Sequence, residues 1–273
     1  MNRPVRLGAV SYLNVRPLVY GLDTRPDLVT VRFDVPSVCA QLLEEGAIDL
    51  GMVPSIAHLD RAGDRIVSGV CIGSDGPVAS VALFTRVPVD RIRRLALDTS
   101  SRTSAVLTRI LCARRFGIDP AFLPHPPDLD AMLAAADAAL LIGDPALFVD
   151  HRAAGAEKID LGAVWTDMTG LPFVWAFWAG RADAADADIV ALLNEAAEQG
   201  MARSDDIADA YCASRPDRRP LARRYLRENL MFRLTPRAID GLKTYYREAA
   251  ALRLASGADE LSFFQEHRGG SDL

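Results

Sequence analysis

The chain lacks the features that assign a protein to a membrane, an export route or a nucleic-acid partner. No segment approaches the run of about 20 apolar residues that a membrane-spanning helix needs. The amino terminus MNRPVRLGAV has no apolar core followed by a small-residue cleavage site. The formal net charge of -5 gives no electrostatic reason for nucleic-acid binding, which favours basic faces. We therefore expect a cytoplasmic protein without nucleic-acid or membrane partners, either a monomer or a homodimer.

Motifs for metals, cofactors and nucleophiles are also missing. Neither the cysteines nor the histidines show ligand spacing such as CxxC, HxxxH or HExxH, so we expect reduced, buried cysteines and ordinary histidines. No GxGxxG follows a strand, no GxxxxGK(S/T) occurs, and no GxSxG elbow is present. The sequence thus predicts neither a metal site nor an organic cofactor. The residues concerned are Cys39, Cys71, Cys112, Cys212, His58, His125, His151 and His267.

What the chain does have is an alternation of strand and helix patterns. Alternation of this kind is typical of an α/β protein with mainly parallel sheets flanked by helices. Apolar runs predict strands at residues 5–10, 29–35, 48–53, 66–72, 78–85, 95–98, 138–142 and 174–179. Helices are predicted to begin near residues 17, 36 and 54 and to span residues 103–116, 188–202, 205–214, 221–230 and 236–254.

The order of these elements indicates two lobes. The β-rich segments near residues 79–87 and 172–180 are each followed by a change in the local pattern. If both cross between sheets, residues 87–178 form an inserted second lobe, and residues 1–86 and 179–273 together form the first. Hinges are then expected near residues 84–88 and 172–180, with a ligand cleft between the lobes. This is the layout of the two-lobed periplasmic binding proteins.

Polar side chains stand where the first predicted strand ends. Ser11, Tyr12 and Asn14 follow that strand and precede Pro17, which suits the first turn of a helix. Small ligands bind at the carboxyl ends of strands in open α/β sheets, so we expect these residues to form part of a pocket wall. Ser55 follows a later strand in the same way, although capping of the next helix is the simpler explanation for that serine.

The segment DTSSRTS at residues 98–104 is the richest in hydroxyl groups. Ser100, Ser101, Arg102, Thr103 and Ser104 lie at the start of a predicted helix, where free N–H groups and the positive end of the dipole attract carboxylates or phosphates. Serine and threonine are also the preferred helix caps in any protein. One cap needs one hydroxyl and this segment offers several, so capping and anion binding both stay open.

Three further segments adjoin predicted strands. They contribute Ser80 in GPVASVALF, Gly143 and Asp144 in IGDPAL, and Thr169 in TDMTGLPFVWAFW. Asp144 is the one carboxylate just after a buried strand, and an N-cap role beside a proline explains it better than catalysis does. The aromatic residues of the last segment are more often core than a platform for a ligand ring.

Taken in order, these segments resemble the chorismate dehydratases of the futalosine route to menaquinone. The resemblance is carried along nearly the whole chain by SYLNVRPLVYGL, DLGMVPS, DTSSRTS, IGDPAL and DLGAVWTDMTGLPFVWAFW. A sister enzyme, the dihydroxynaphthoate synthase that acts on cyclic de-hypoxanthine futalosine, opens with an SPCPND-like segment that is absent from this sequence. The resemblance implies a type-2 periplasmic-binding-protein fold that serves as a cytoplasmic enzyme.

The resemblance also implies an activity and residue roles. It implies a hydro-lyase that converts chorismate into 3-(1-carboxyvinyloxy)benzoate and water without a cofactor, with Asn14 and Ser80 at the reacting centre. We hypothesise that the enolpyruvyl carboxylate of the substrate removes the C3 proton. The sister synthase and a non-catalytic cytoplasmic protein that binds a small anion stay open as alternatives. The expected substrate-binding residues are Ser11, Tyr12, Ser55, Ser100, Ser101, Arg102, Thr103, Ser104, Gly143, Asp144 and Thr169.

Overall fold

A computed structural model describes residues 3–34, 36–256 and 260–265 of the chain. Within them the strands are β1 (Val5–Val10), β2 (Val29–Asp34), β3 (Leu50–Pro54), β4 (Asp64–Ile66), β5 (Gly69–Ser74), β6 (Val81–Thr85), β7 (Arg94–Asp98), β8 (Ala121–His125), β9 (Ala138–Ile142), β10 (Glu157–Asp160), β11 (Phe173–Arg181) and β12 (Met231–Leu234). The α-helices are α1 (Pro36–Glu44), α2 (Arg102–Leu111), α3 (Leu129–Ala135), α4 (Gly143–Phe148), α5 (Leu161–Thr169), α6 (Ala187–Ala202), α7 (Ser204–Tyr211), α8 (Arg219–Arg224) and α9 (Pro236–Ala251). Stretches of 3₁₀ helix include Leu13–Val19 and Ser55–Asp60, and the π-helical turns Cys112–Phe116 and Tyr225–Asn229 follow α2 and α8.

The strands form two sheets flanked by helices. The first sheet has the order β12-β5-β11-β3-β1-β2, with β4 paired to β11, and the second has the order β10-β6-β9-β7-β8. Parallel pairing joins β1 to β2 and β3, and joins β7 to β8 and β9. The other neighbours are antiparallel. The predicted α/β architecture is confirmed, but the sheets are mixed rather than mainly parallel, because β6, β11 and β12 run against the strands they join.

The chain crosses between the sheets twice. After β5 in the first sheet, residues 75–80 lead into β6 of the second sheet. After β10 in the second sheet, α5 and the following loop lead back to β11 of the first. The strand pairing therefore assigns residues 81–85 to the second sheet and residues 173–178 to the first, which shifts both boundaries from the predicted positions. Hinge motion near residues 84–88 and 172–180 stays a prediction.

The helix predicted near residue 17 is a 3₁₀ helix that begins earlier, at Leu13, and contains Pro17 in its interior. Helix α6 packs closely against it at Gly200, where an added Cβ would lie 2.0 Å from the carbonyl oxygen of Pro17. Only glycine permits so close an approach of two backbones. The contact fixes the turn that carries Tyr12 and Asn14 into the space between the sheets.

Three strands that the sequence pattern does not predict lie at sheet edges. They are β8, β10 and β12, each the last strand at one end of a sheet. Each has only four or five residues. The strand β8 also contains Pro124, which an edge strand tolerates because one side of its backbone needs no ladder partner. Short edge strands bury little apolar surface, so their sequences carry a weak periodic signal.

The interior joins the carboxyl-terminal helices to the first sheet. Trp165 of α5, Phe173 of β11 and Tyr245 of α9 pack edge to face, with ring centroids 4.8–6.2 Å apart. The four cysteines are buried free thiols, as predicted. In the part of the chain that the structure describes, no helix combines the length and the apolar character needed to cross a membrane.

Candidate active site

A cleft lies between the two sheets. Its walls come from both lobes, and hydroxyl and apolar groups dominate them. Among the described residues that line it, none carries a charged side chain. A ligand in this cleft would therefore meet neutral hydrogen-bonding groups. The lining residues are Val10, Tyr12, Asn14, Val15, Met52, Pro54, Ile72, Val78, Ser80, Val81, Ser100, Ser101, Thr103, Ser104, Ile142, Gly143, Trp175, Ala176 and Leu230.

Tyr12 reaches across the cleft from the first lobe to the second. Burial raises the pKa of Tyr12, and a hydrogen bond with Ser100 offsets part of that rise. Beneath the ring lies Gly143, the first residue of α4, with a φ of +63°. A Cβ added to Gly143 would lie 2.8 Å from Cε2 of the tyrosine. Glycine thus serves both the left-handed backbone and the close packing of the aromatic ring.

The amino-terminal end of α2 forms another part of the wall. Ser101 caps the helix, since its hydroxyl accepts from the backbone N–H of Ser104 at 3.2 Å and donates to Oγ of Ser104 at 2.9 Å. Thr103 Oγ1 accepts from the backbone N–H of Ile56 at 3.3 Å. The predicted capping is therefore confirmed for Ser101, whereas anion binding by its neighbours, which also line the cleft, stays a prediction.

The loop before α2 is held by a buried carboxylate, Asp98. Ser100 donates to its Oδ1 twice, from the backbone N–H at 2.8 Å and from the hydroxyl at 2.6 Å. The backbone N–H of Ile142 donates to Oδ2 at 3.2 Å. Burial raises the pKa of Asp98, and the hydrogen bonds from Ser100 and Ile142 counteract it. The carboxylate therefore ties α2 to the end of β9 and sets the position of this wall.

Ser80 enters the cleft from a tight turn between the sheets. The backbone N–H of Ser80 donates to the carbonyl oxygen of Val78 at 2.8 Å, and Ala79 between them has a φ of +63°. Such a three-residue turn is strained for a residue other than glycine. Asp160 holds it by accepting from the backbone N–H groups of Val78 and Ala79 at 3.0 and 2.6 Å. Lys158 Nζ donates to the Ala79 carbonyl at 2.5 Å.

Ser80 and Asn14 meet at a third residue, Tyr225. Ser80 is 2% exposed, and its Oγ accepts from the hydroxyl of Tyr225 at 2.8 Å. Asn14 Oδ1 is a buried oxygen without a hydrogen-bond partner among the described residues. The two residues expected at the reacting centre are thus brought together at one end of the cleft.

Asp144 lies off the cleft and joins the two lobes instead. The backbone N–H of Leu13 donates to its Oδ1 at 3.2 Å, and the hydroxyl of Tyr211 donates to its Oδ2. Helix α4 begins at Gly143, so Asp144 stands inside the first turn and is not the cap. Burial raises the pKa of Asp144, and the bonds from Tyr211 and Leu13 offset part of the rise. Its observed contacts belong to lobe packing rather than to the ligand space.

Arg102 also points away from the cleft. Its guanidinium pairs with Asp60, and its side chain is 63% exposed. The residue belongs to the first turn of α2, but its neighbours Ser101 and Thr103 face the cleft while Arg102 faces solvent.

Three other expected residues are outside the lining. Ser11 donates from Oγ to the carbonyl oxygen of Asp34 at 3.4 Å. Ser55 is fully buried, and its carbonyl accepts from the hydroxyl of Tyr246. Thr169 ends α5, where its hydroxyl donates to the Trp165 carbonyl at 2.9 Å. The structure therefore gathers at the cleft only part of the expected set, namely Tyr12, Asn14, Ser80, Ser100, Ser101, Thr103, Ser104 and Gly143.

The histidines and aromatic residues behave mainly as core and surface groups. Trp175 lines the cleft and donates from Nε1 to Ser74 Oγ at 3.2 Å, whereas Trp165 and Trp178 are fully buried. His58 packs edge to face on Phe177, and burial lowers the pKa of His58. In residues 3–34, 36–256 and 260–265, no group of three or more His, Cys, Asp or Glu residues could hold a metal ion. His267 is outside the described residues.

Sequence reasoning missed the groups that support the cleft from behind. Tyr225 lies in a helical segment rich in arginine and has no local mark of a site residue. Asp160 is the last residue of the short strand β10, so a polar residue at a strand end was the available signal in the sequence. Lys158 donates to the turn at Ala79 from the same unrecognised strand.

The sequence as a whole is similar to proteins of menaquinone biosynthesis. Residues 5–251 match a family model described as menaquinone biosynthesis. A curated relative, the chorismate dehydratase of Thermus thermophilus, is 31% identical over 272 residues, which cover 93% of this chain and 97% of the relative.

Solved structures share the fold at low identity. Protein AF1704 from Archaeoglobus fulgidus has a TM-score of 0.72 at 17% identity, covering 93% of this chain and 99% of its own. The periplasmic aliphatic sulphonate binding protein from Escherichia coli has a TM-score of 0.64 at 17% identity, covering 100% and 99%. A Candida albicans protein described as having the generic periplasmic binding protein fold has a TM-score of 0.66 at 14% identity, covering 97% and 99%. The predicted periplasmic-binding-protein fold is confirmed.

Proposed function

The chain belongs to the menaquinone-biosynthesis family, and on that premise we propose that it is a chorismate dehydratase of that route. The observation that carries this conclusion is its similarity, along nearly the full length of both chains, to a relative of that name. The family match over residues 5–251 spans every segment that lines the cleft. The proposal places the enzyme in the cytoplasm, where its four free thiols stay reduced.

The cleft suits a small dianion. Chorismate carries two carboxylates, and the end of α2 offers backbone N–H groups, the positive end of a helix dipole and the hydroxyls of Thr103 and Ser104. Tyr12 and Ser100 line the same cleft and are hydrogen-bonded to each other. We assign the backbone N–H groups and the hydroxyls of Thr103 and Ser104 to the carboxylates of the substrate. Ser100, whose two donors are taken by Asp98, positions Tyr12 instead.

The chemistry needs positioning more than a strong external catalyst. The C3 proton of chorismate is vinylogous to the ring carboxylate, so its removal gives a stabilised dienolate. Loss of the C4 hydroxyl then makes the ring aromatic, and the products are 3-(1-carboxyvinyloxy)benzoate and water. Aromaticity supplies the driving force, so a hydro-lyase of this type gains chiefly from correct orientation and assisted proton movement.

The proton at C3 is taken by the substrate itself. The described residues that line the cleft include no carboxylate, imidazole or amine that could act as the base. The enolpyruvyl carboxylate hangs beside C3 and is the nearest basic group. Asn14 and Ser80 form the reacting centre and hold the C4 hydroxyl. An analogue whose side chain lacks this carboxylate should not be dehydrated, and its efficient conversion would refute the assignment.

The direct test is incubation of the purified protein with chorismate, followed by chromatography and mass analysis. We expect catalytic formation of a product lighter by one water. Asn14→Ala and Ser80→Ala should lower kcat on the order of a hundredfold, a loss typical of removing one group from a reacting centre. Ser68→Ala, a serine outside the cleft lining, is the matched control and should keep kcat within about twofold.

Unchanged chorismate would contradict the proposal. The futalosine-derived substrate of the sister synthase would then be supplied in the same assay. Return of both compounds unchanged, together with measurable binding, would identify a protein that binds a small anion without chemistry.

A further inference from the structure

Tyr225 is a buried residue behind the cleft that the reaction described above does not use. It is 1% exposed and does not line the cleft. It begins the π-helical turn Tyr225–Asn229, a rare element that occurs frequently at functional sites. At the other end of this turn, Asn229 Nδ2 donates to the carbonyl oxygen of Pro77 at 2.9 Å. The turn therefore holds both ends of the segment from Pro77 to Ser80.

The hydroxyl of Tyr225 sits between the two residues of the reacting centre. It donates to Ser80 Oγ at 2.8 Å, and a phenol is the better donor of two hydroxyls because it is the more acidic. Burial raises the pKa of Tyr225, and hydrogen bonds with Ser80 and Asn14 offset part of the rise. Tyr225 is therefore neutral at physiological pH, a donor to Ser80 and a neighbour of the Asn14 amide.

This arrangement leaves hydrogen-bonding capacity on both Ser80 and Asn14. Because Ser80 Oγ already accepts from Tyr225, the proton of Ser80 is free to point into the cleft that this residue lines. Asn14 Oδ1 is buried and has no hydrogen-bond partner among the described residues. Native proteins rarely leave a buried polar atom unpaired, so this oxygen is available to a ligand. The cleft thus presents one donor and one acceptor around a single tyrosine. A hydroxyl group, which both accepts and donates, is the complementary ligand.

We propose that Tyr225 is a positioning residue that orients Ser80 and Asn14 toward the hydroxyl group that leaves the substrate. This deepens the proposed function and rests on it. The C4 oxygen accepts from Ser80 and donates to Asn14 Oδ1. When the C4–O bond breaks, the oxygen keeps the electron pair of that bond, and the proton taken from C3 completes the water. Ser80 and Tyr225 keep their protons throughout.

The test is the conservative variant Tyr225→Phe, which removes the hydroxyl and keeps the ring. We expect kcat to fall roughly ten- to a hundredfold while KM changes less than about threefold, because a group that orients the leaving oxygen acts mainly in the transition state. In a Ser80→Ala background the same substitution should lower kcat less than it does in the wild type, because Tyr225 acts through Ser80.

Tyr246→Phe is the matched control. Tyr246 is equally buried, and its hydroxyl donates to a backbone carbonyl, that of Ser55, outside the cleft lining. It should keep kcat within about twofold. An equal fall in both tyrosine variants, wild-type kcat in Tyr225→Phe, or an undiminished effect in the Ser80→Ala background would each overturn the proposal.

A second measurement needs no variant and so does not depend on whether Tyr225→Phe folds. Two unreactive, ring-reduced chorismate analogues, one with the C4 hydroxyl and one without it, are compared as inhibitors of the wild-type protein. We expect the hydroxyl to improve inhibition more than roughly tenfold, because its absence leaves Ser80 and Asn14 unpaired. Equal inhibition would overturn the proposal. Failure of the wild type to dehydrate chorismate would instead overturn the proposed function, so the two failures are distinct.

Discussion

Replacing Gly143 with alanine tests how α4 supports the cleft. Two terms oppose the added methyl group. An L residue at the φ of +63° costs about 1–2 kcal/mol. The new Cβ would also lie 2.8 Å from Cε2 and 2.9 Å from Cδ2 of Tyr12, and overpacking of this kind costs about 1–3 kcal/mol. We therefore expect Gly143→Ala to lower the free energy of unfolding by about 2–5 kcal/mol.

Gly155→Ala is the matched control for the backbone term. Gly155 has a φ of +64°, and no atom lies within 4 Å of an added Cβ. This variant should lose only about 1–2 kcal/mol, so the difference between the two variants measures the contact with Tyr12. Urea unfolding of both variants gives that difference directly.

Activity gives the second readout of the same change. The ring of Tyr12 lines the cleft, and it must move to admit the methyl group. We expect kcat/KM to fall more than roughly tenfold in Gly143→Ala and to stay within about twofold in Gly155→Ala. Equal loss of stability in the two variants, with unchanged kcat/KM in both, would refute the reasoning.

Three further perturbations probe groups around the cleft. Asp144→Asn should lower the free energy of unfolding by about 1–3 kcal/mol, because the new amide faces the hydroxyl donor of Tyr211. Burial raises the pKa of Asp144 in the fold. The free energy of unfolding of the wild type should therefore exceed that of the variant most at acid pH, and the difference should shrink as pH rises through that pKa. A difference in urea unfolding that stays constant with pH would contradict this. The kcat for chorismate should be flat between roughly pH 6 and 9, because none of the described residues that line the cleft is a histidine, cysteine or lysine. A rising limb near roughly pH 6.5 would indicate a histidine base. Asp160 caps α5 as well as holding the turn at Ala79, and Asp128 is the corresponding cap of α3. Asp160→Asn should loosen the strained turn and lower kcat, whereas Asp128→Asn should leave kcat unchanged; equal kinetics of the two variants would contradict a role for Asp160 in placing Ser80.

Much of the fold follows from local patterns in the sequence. Short, buried, apolar runs can be predicted as strands from the sequence, and the central strands β1, β3, β6 and β9 are of this kind. The edge strands β8, β10 and β12 could not be predicted in this way, because their pairing is decided by the neighbouring strand rather than by their own periodicity. The mixed direction of the sheets has the same origin, since pattern alone gives no strand direction.

The sequence predicts some residues of the candidate site and gives no sign of others. Tyr12, Asn14 and Ser80 adjoin strand ends, so the rule for ligand sites in α/β sheets points to them. Asp144 satisfies that rule too, but it binds Tyr211 between the lobes instead of facing the cleft. Tyr211 lies 67 residues further along the chain, so no local pattern shows this contact. Tyr225 meets Ser80 across 145 residues. The positive φ of Ala79 is equally hidden, because alanine gives no sign of a left-handed backbone.

The most direct measurement uses chorismate that carries deuterium at C3. The purified protein is incubated with the labelled compound, and the mass of the product is compared with that from unlabelled chorismate. If the cleft removes the C3 proton and the C4 hydroxyl, the labelled substrate loses HDO and both substrates give the same product. Recovery of unchanged chorismate, or a product that keeps the deuterium, would contradict this function.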